Sequence, residues 1–360
     1  MHARSSHHPR VNGSSRYLDD WYGQPASLIR SAMALDDQWP QIVAAAEWLR
    51  QCSPLIITGI GSSYHAGLAL DAFLARRGRI AKVVDASELV YHHPIPPGSG
   101  VIVASRSGQS VEIVKLMEKC RAHQVPVAAV TNMPESPLTA YARNVIHLRT
   151  DFDHLISLRM YTALVQGLLA LGAAVCDPHA ASPAELLIQV WQSAAERLDA
   201  WHALIRESEF FRHGAVYYTL ARGGSWASAN EARLLLEECG KAGATALTTG
   251  AFRHGPQEVI DHRFRALLWI PADSPLHEHD LALAESIQGT GARCMVISTG
   301  LRQTPFSGLT VELPPIAPDW QPIIDVIPAQ IGAYEHALSW GKNPDAFTYC
   351  PYVVSTEGGL

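Results

Sequence analysis

Short apolar runs alternate with helical segments along this chain, and each early run ends in glycine or serine. That alternation restricts the possible folds more than any other feature. Leu55-Ile56-Ile57-Thr58 runs into Gly59-Ile60-Gly61-Ser62-Ser63, after which helical spacing resumes through Leu68, Leu70 and Phe73. Further strands are predicted at Ala81–Asp85, Gly100–Ser105, 125–131 and 144–148, with a helical segment between each pair. The pattern then repeats with strands at 215–220, 245–249, 263–270 and 292–298 and helices at 225–239 and 277–288. Strands alternating with helices of this length form βαβ units and parallel sheets. The expected fold class is therefore α/β, with two three-layer αβα units in tandem. Helices are also expected over 21–51 and 323–340, and a helical connector without strand signal over 183–206.

The length of 360 residues suits two domains with tails, at roughly 150 residues per domain. Hydrophobic residues make up 48% and charged residues only 17%, against about 25% charged in an average soluble protein. So low a charge fraction points to surface hidden between domains or between subunits. The 28 basic and 34 acidic residues give a net charge of −6, which excludes a sequence-independent grip on nucleic acid. Six cysteines without a CxxC pair read as buried free thiols of a reducing compartment. Residues 1–16 are polar and rich in His and Ser, without the apolar core of a signal peptide, and are expected to be disordered. The most apolar stretch, 160–176, is interrupted by Thr162 and Gln166 and reads as a buried helix, so no membrane partner is expected. A cytoplasmic protein is the expectation.

Three segments carry candidate chemistry. The turn Gly59–Ser63 combines glycines, which let a backbone approach a ligand, with serines at a helix start, where free N–H groups attract anions. Tyr64 stands where the dinucleotide fingerprint requires a third glycine, which argues against a dinucleotide. An ordinary tight turn with a capping serine would look the same. The second segment, Ser105-Arg106-Ser107-Gly108-Gln109-Ser110, also follows a strand and sets three hydroxyls beside a guanidinium. Both turns fall on the carboxyl edge of one sheet, where ligands of open α/β folds bind, and together they indicate a phosphate site. In the third segment, Glu231, Leu234 and Glu238 share one helical face. A carboxylate among leucines is a candidate general base, whereas Glu237 reads as a solvated helix end. His254, beside Arg253 and Gly255-Pro256, is either a proton shuttle or an ordinary loop histidine. His92-His93 and His277-Glu278-His279 lack the i, i+4 spacing of a helical metal site. They read as surface residues, and neither metal nor cofactor is expected.

Gly61-Ser62-Ser63-Tyr64-His65-Ala66-Gly67, Ser105–Ser110 and Glu231…Glu238…His254-Gly255-Pro256 together resemble the tandem sugar isomerase (SIS) domain family. The closest likeness is to the isomerase half of glucosamine-6-phosphate synthase and its stand-alone deaminase, isomerase and deglycase relatives. It runs from Gln24-Pro25 to Asn343-Pro344-Asp345. The resemblance implies a first SIS domain over 17–182, a connector over 183–206, a second SIS domain over 207–342, and a tail over 343–360 near the active site. It implies that Ser63, Ser105, Ser107 and Ser110, with Gly61, Ser62 and Arg106 beside them, bind a sugar phosphate. Glu238 is implied as the base that moves a proton between C1 and C2. His254 is implied to assist ring opening, reaching the site of a neighbouring subunit, and Glu231 as a supporting acid.

Two departures bear on activity. His154-Leu155-Ile156-Ser157-Leu158-Arg159-Met160-Tyr161-Thr162 keeps only a serine, a basic residue and Tyr-Thr of the family's corresponding segment. The tail has no lysine from Phe347 to Glu357, whereas the synthase tail supplies a Schiff-base lysine; Tyr352 is the nearest counterpart and cannot form an imine. The expectation is a homodimeric sugar-phosphate isomerase or deaminase with sites completed across the interface. No glutamine-hydrolysing domain is seen, which disfavours the synthase direction. A fructosamine-6-phosphate deglycase and a non-catalytic sugar-phosphate sensor are the alternatives.

Overall fold

The computed structural model describes residues 15–301, 306–350, 352–356 and 358. Ten strands form two sheets. The first contains β1 (Leu55–Gly59), β2 (Ala81–Asp85), β3 (Gly100–Ser105), β4 (Val127–Thr131) and β5 (Asn144–His147), in the order β2-β1-β3-β4-β5. The second contains β6 (Val216–Ala221), β7 (Ala244–Thr248), β8 (Phe264–Trp269), β9 (Arg293–Ser298) and β10 (Leu309–Glu312), in the order β10-β9-β8-β6-β7. Every pairing is parallel. With helices flanking both sheets, the chain has the tandem αβα architecture expected from its pattern.

Burial follows the two-residue period of a strand. Ile57, Ile102, Ala104 and Val130 of the first sheet join Tyr217, Leu267, Trp269 and Ile297 of the second in one shared core. The alternate residues Ile56, Val101, Val103 and Val127 form a separate core on the outer face of the first sheet. Leu220, Ala266, Leu268 and Val296 do the same for the second. Strands buried on both faces explain the continuous apolar runs in the sequence.

The helix Arg159–Cys176 is long and apolar enough to cross a membrane, yet 83% of it is buried inside the protein. Its polar residues have internal partners. Gln166 accepts from Trp191 Nε1 at 2.8 Å and donates to the Leu28 carbonyl at 3.3 Å, and Thr162 donates to Gln24 at 2.9 Å. Trp191 and Leu187, from the stretch expected as a connector, are fully buried in the shared core, so that stretch packs as well as links.

Several expectations are corrected. Disorder over 1–16 fails at its end: Ser15 caps the helix Arg16–Asp37, and Asp345 accepts from the Arg16 and Tyr17 amides at 3.2 and 2.7 Å. Residues 1–14 lie outside the described residues. The helical stretch 21–51 is two helices, broken where Pro40 opens Trp39–Leu49. The last helix begins at Ile327 rather than 323, with Pro328 in its first turn and a 3₁₀ segment, Pro318–Ile323, before it. β10 has no counterpart among the predicted strands. His277 is buried, not at the surface, with Nδ1 3.0 Å from the Pro271 carbonyl. Cys350 is exposed and Cys52 and Cys176 half-buried, whereas Cys120, Cys239 and Cys294 are buried; all are free thiols.

Candidate functional site

In the first sheet, β1 pairs with β2 on one side and β3 on the other. The chain therefore leaves β1 and β3 in opposite directions, and a crevice opens at their carboxyl ends. Gly59 ends β1 where the backbone passes closest to its neighbours. A β-carbon there would lie 2.8 Å from the Ser63 backbone and 2.9 Å from the Ala104 carbonyl. Gly61 then leads into the helix Ser62–Ala75. The turn after β3 is held by its own serines: Ser105 Oγ accepts from the Gly108 amide at 2.9 Å, and Ser107 Oγ from Gln109 at 3.4 Å. Gly108 has φ of +64°, and a β-carbon there would strike Ser136. Ser110 opens the helix Val111–Ala122 without using its side chain as a cap.

These turns line a cavity of about 210 Å³. Gly61, Ser62, Ser63, Ser105, Arg106, Ser107 and Ser110 all border it, as the sequence predicts, and Glu238 faces them across it. Glu238 ends the helix Trp226–Glu238 of the second unit. Burial pushes its carboxyl up to about 7, the charge of Glu231 adds to the rise, and Arg106 and Lys241 pull the other way. A carboxylate near neutrality can take and return a proton at physiological pH.

Glu231, seven residues or about two turns earlier on that helix, does not border the cavity. It is 1% exposed, accepts from Ser62 Oγ at 2.8 Å, and its other oxygen is 2.8 Å from His65 Nδ1. Ser62 and His65 belong to the helix that opens the first serine turn. Glu231 thus ties the first serine turn of the first unit to the helix that carries Glu238. His65 was quoted in the sequence motif without a role; its partner lies 166 residues away, a distance no local pattern encodes.

The C-terminal tail crosses the cavity mouth. Arg106 donates to the Tyr352 carbonyl and stacks over the Tyr352 ring at 4.1 Å, and the Val111 amide donates to the Val354 carbonyl at 3.2 Å. Tyr352, Val354 and Cys350 line the cavity with Ser157 and Glu112. Sequence reasoning did not single out Glu112 or Cys350. His254 is not brought to this cavity: it is exposed, just past the short helix Thr249–Phe252 that follows β7. Among the described residues, no cluster of His, Cys, Asp and Glu could hold a metal ion.

Residues 48–176 match the SIS domain family. The chain is 28% identical over 344 residues to the glutamine–fructose-6-phosphate aminotransferase (isomerizing) of Pyrobaculum aerophilum, covering 91% of this chain and 55% of that protein. The enzyme of the same name from Pyrococcus horikoshii is 25% identical over 340 residues, with the same coverage. The chain thus spans about half the length of the curated relatives it matches. Among solved structures, it superposes with a TM-score of 0.81 on the C-terminal domain of glucosamine-fructose-6-phosphate aminotransferase from Francisella tularensis, at 20% identity, covering 92% of this chain and 97% of that one. The glucosamine-6-phosphate deaminase of Thermotoga maritima gives a TM-score of 0.78 at 16% identity, covering 95% and 100%. The tagatose-6-phosphate ketose/aldose isomerase of Escherichia coli gives 0.78 at 20%, covering 92% and 95%. These likenesses extend the fold of the SIS match over both units.

Proposed function

We propose that this chain, a tandem SIS-fold protein, binds a phosphorylated keto or amino sugar and moves a proton between its C1 and C2. One observation carries the reading: a single cavity gathers the two serine turns of one unit and, facing them, a carboxylate of the other whose proton affinity burial has raised. The serine hydroxyls and the N-terminal amides of Ser62–Ala75 and Val111–Ala122 suit a phosphate, which accepts several hydrogen bonds and favours the positive end of a helix. With the phosphate held there, the open-chain sugar extends toward Glu238. Its carboxylate takes a proton from C1 of a ketose or C2 of an aldose, an enediol (an enolamine where C2 bears nitrogen) forms, and the carboxyl, which exchanges its proton with solvent, returns one at the other carbon. One group serving both half-steps needs an affinity for protons near the working pH.

Ring opening is assigned to His254 of a second copy. Support comes from its exposure and from the family pattern, in which this histidine serves a neighbouring site. Tyr352 offers no amine, so no imine is part of the scheme. The carbonyls of Tyr352 and Val354 occupy Arg106 and the Val111 amide, and the tail shifts where the phosphate takes those donors.

The reading is tested by a thermal-shift screen against hexose 6-phosphates and amino-sugar phosphates, since a ligand that binds only the folded state raises the melting temperature. Stabilisation by a phosphorylated sugar and none by the free sugar is expected. No response to any phosphosugar would overturn it. The shared site has its own test. Mixing Glu238→Gln and His254→Ala chains should restore about a quarter of wild-type activity, since half of the random dimers carry one intact site of two. No restoration, with each variant inactive alone, would contradict a site shared between two copies.

A further inference from the structure

Glu112 borders the serine-lined cavity and takes no part in the proton transfer. Its Oε2 is buried and has no hydrogen-bond partner among the described residues. A buried carboxylate oxygen without a donor is costly, and such groups in folded proteins are nearly always satisfied. Glu112 stands in the first turn of Val111–Ala122, where the helix dipole favours negative charge. The dipole accounts for a carboxylate at this position but gives its buried oxygen no proton.

Direction and charge narrow the choice of donor. Side chains on a helix lean toward its N-terminus, so Glu112 leans toward the turn Ser105–Ser110, where the phosphate is placed. Among the residues that line the cavity, Arg106 alone carries a fixed positive charge, against the carboxyls of Glu112 and Glu238. Arg106 already donates to the Tyr352 and Leu155 carbonyls. The other titratable groups on the cavity wall are Cys350 and Tyr352. The helix Ala86–Tyr91, packed on Val111–Ala122, brings Glu88 and Tyr91, and Pro137–Tyr141 brings Tyr141. Lys115, one turn further along the helix of Glu112, donates to the Tyr91 hydroxyl, and Tyr141 to the Val125 carbonyl. None of these groups donates to Glu112 Oε2.

A phosphate dianion set beside Glu112 would therefore meet like charge, with one occupied guanidinium to offset it. A phosphate that keeps one proton meets an acceptor instead. Its P–O–H donates to the carboxylate while its remaining oxygens accept from the serine hydroxyls and helix amides.

We infer that Glu112 accepts a hydrogen bond from the protonated phosphate of the bound sugar, so the cavity selects a singly protonated phosphate monoester over a sulfate ester, which has no proton to give. The inference rests on the phosphosugar reading above and specifies how the phosphate is recognised. The second ionisation of a phosphate monoester lies near pH 6, so at pH 7.5 most of the free ligand is a dianion. Binding at that pH then takes up about one proton from solvent.

The test is calorimetry at pH 7.5 on the full chain, in two buffers of different ionisation enthalpy, which counts the protons taken up. The probes are fructose 6-phosphate, glucose 6-phosphate and glucosamine 6-phosphate, and the 6-sulfate of whichever binds most tightly. Wild-type protein should take up about one proton and bind the sulfate at least about tenfold more weakly than the phosphate. Glu238→Gln, which removes the other carboxyl of the cavity, should take up the same proton. Glu112→Gln should take up almost none and hold the two esters within about threefold of each other. Absence of proton uptake by wild-type protein, equal binding of the two esters by it, or unchanged uptake in Glu112→Gln would overturn the inference and leave the phosphosugar reading intact. The first two outcomes need no variant to fold. Failure of wild-type protein to bind any of the three phosphates would overturn both.

Discussion

The two sheets share one strand order, and in each the same crevice opens between the first and third strands, yet the chain fills the two differently. At the ends of β1 and β3 the serines and Arg106 border an open cavity. At the ends of β6 and β8 the corresponding turn, Arg222-Gly223-Gly224-Ser225, closes on a carboxylate of the protein itself. Asp325 is fully buried and accepts from Ser225 Oγ at 2.7 Å, from Ser228 Oγ and from Gln321 Nε2 at 3.4 Å, while its carbonyl accepts from Trp269 Nε1 at 2.8 Å. Arg222 is taken by Asp280 at 3.0 Å. A repeated architecture repeats a crevice; here one copy is filled from within by Asp325 and the other borders an open cavity. The second unit then gives its helix end, Glu238, to the open site of the first.

The largest effect that would sharpen this contrast is on rate. Glu238→Gln should lower turnover by about 10²–10⁴-fold, the usual contribution of a positioned base, in an assay of C1/C2 isomerisation. Asp325→Ala should instead cost about 2–4 kcal/mol of stability, since it strands two buried hydroxyls and an amide, read by denaturant unfolding. If it weakened phosphosugar binding without lowering stability, the contrast would break. Ser107→Ala should do the reverse, raising the apparent KM about five- to tenfold with kcat nearly unchanged and no measurable loss of stability.

The smallest effect is on the pH dependence of melting. Burial raises the Glu238 carboxyl to about 7, against about 4.3 in an unfolded chain. Its favourable contribution is therefore fully present below about 4.3 and is lost as pH rises through about 7. Glu238→Gln removes that loss. The melting temperature of the variant should exceed that of the wild type by about 2–4 °C at pH 8, with the gap closing toward pH 4. A constant gap across that range would mean that the carboxyl is not held out of water.

The two turns that border the open cavity were legible because their signals are local. An apolar run followed by Gly59–Ser63, or by Ser105–Ser110, marks a strand end, a turn and a helix start within ten residues, and the parallel topology then sets the two turns side by side. The closed site was not legible. Asp325 lies in a proline-rich stretch just after the 3₁₀ segment Pro318–Ile323, and its two serine partners stand about a hundred residues away. The Glu231–His65 pair was hidden for the same reason. β10, four residues long, is too short to give a period, and His277 was misplaced because one histidine carries no pattern of burial. Long-range pairing between polar groups leaves no trace in periodicity; turn chemistry and apolar alternation do.

The central claim is that one cavity holds a phosphosugar while Glu238 moves a proton between two of its carbons. Solvent exchange measures that directly. Wild-type protein in D₂O with fructose 6-phosphate, glucose 6-phosphate or glucosamine 6-phosphate should place deuterium at C1 or C2 of at least one of them, seen by NMR. Glu238→Gln should bind the same sugar and exchange nothing. Exchange that persists in Glu238→Gln, or none with any of the three sugars in the wild type, would contradict the account.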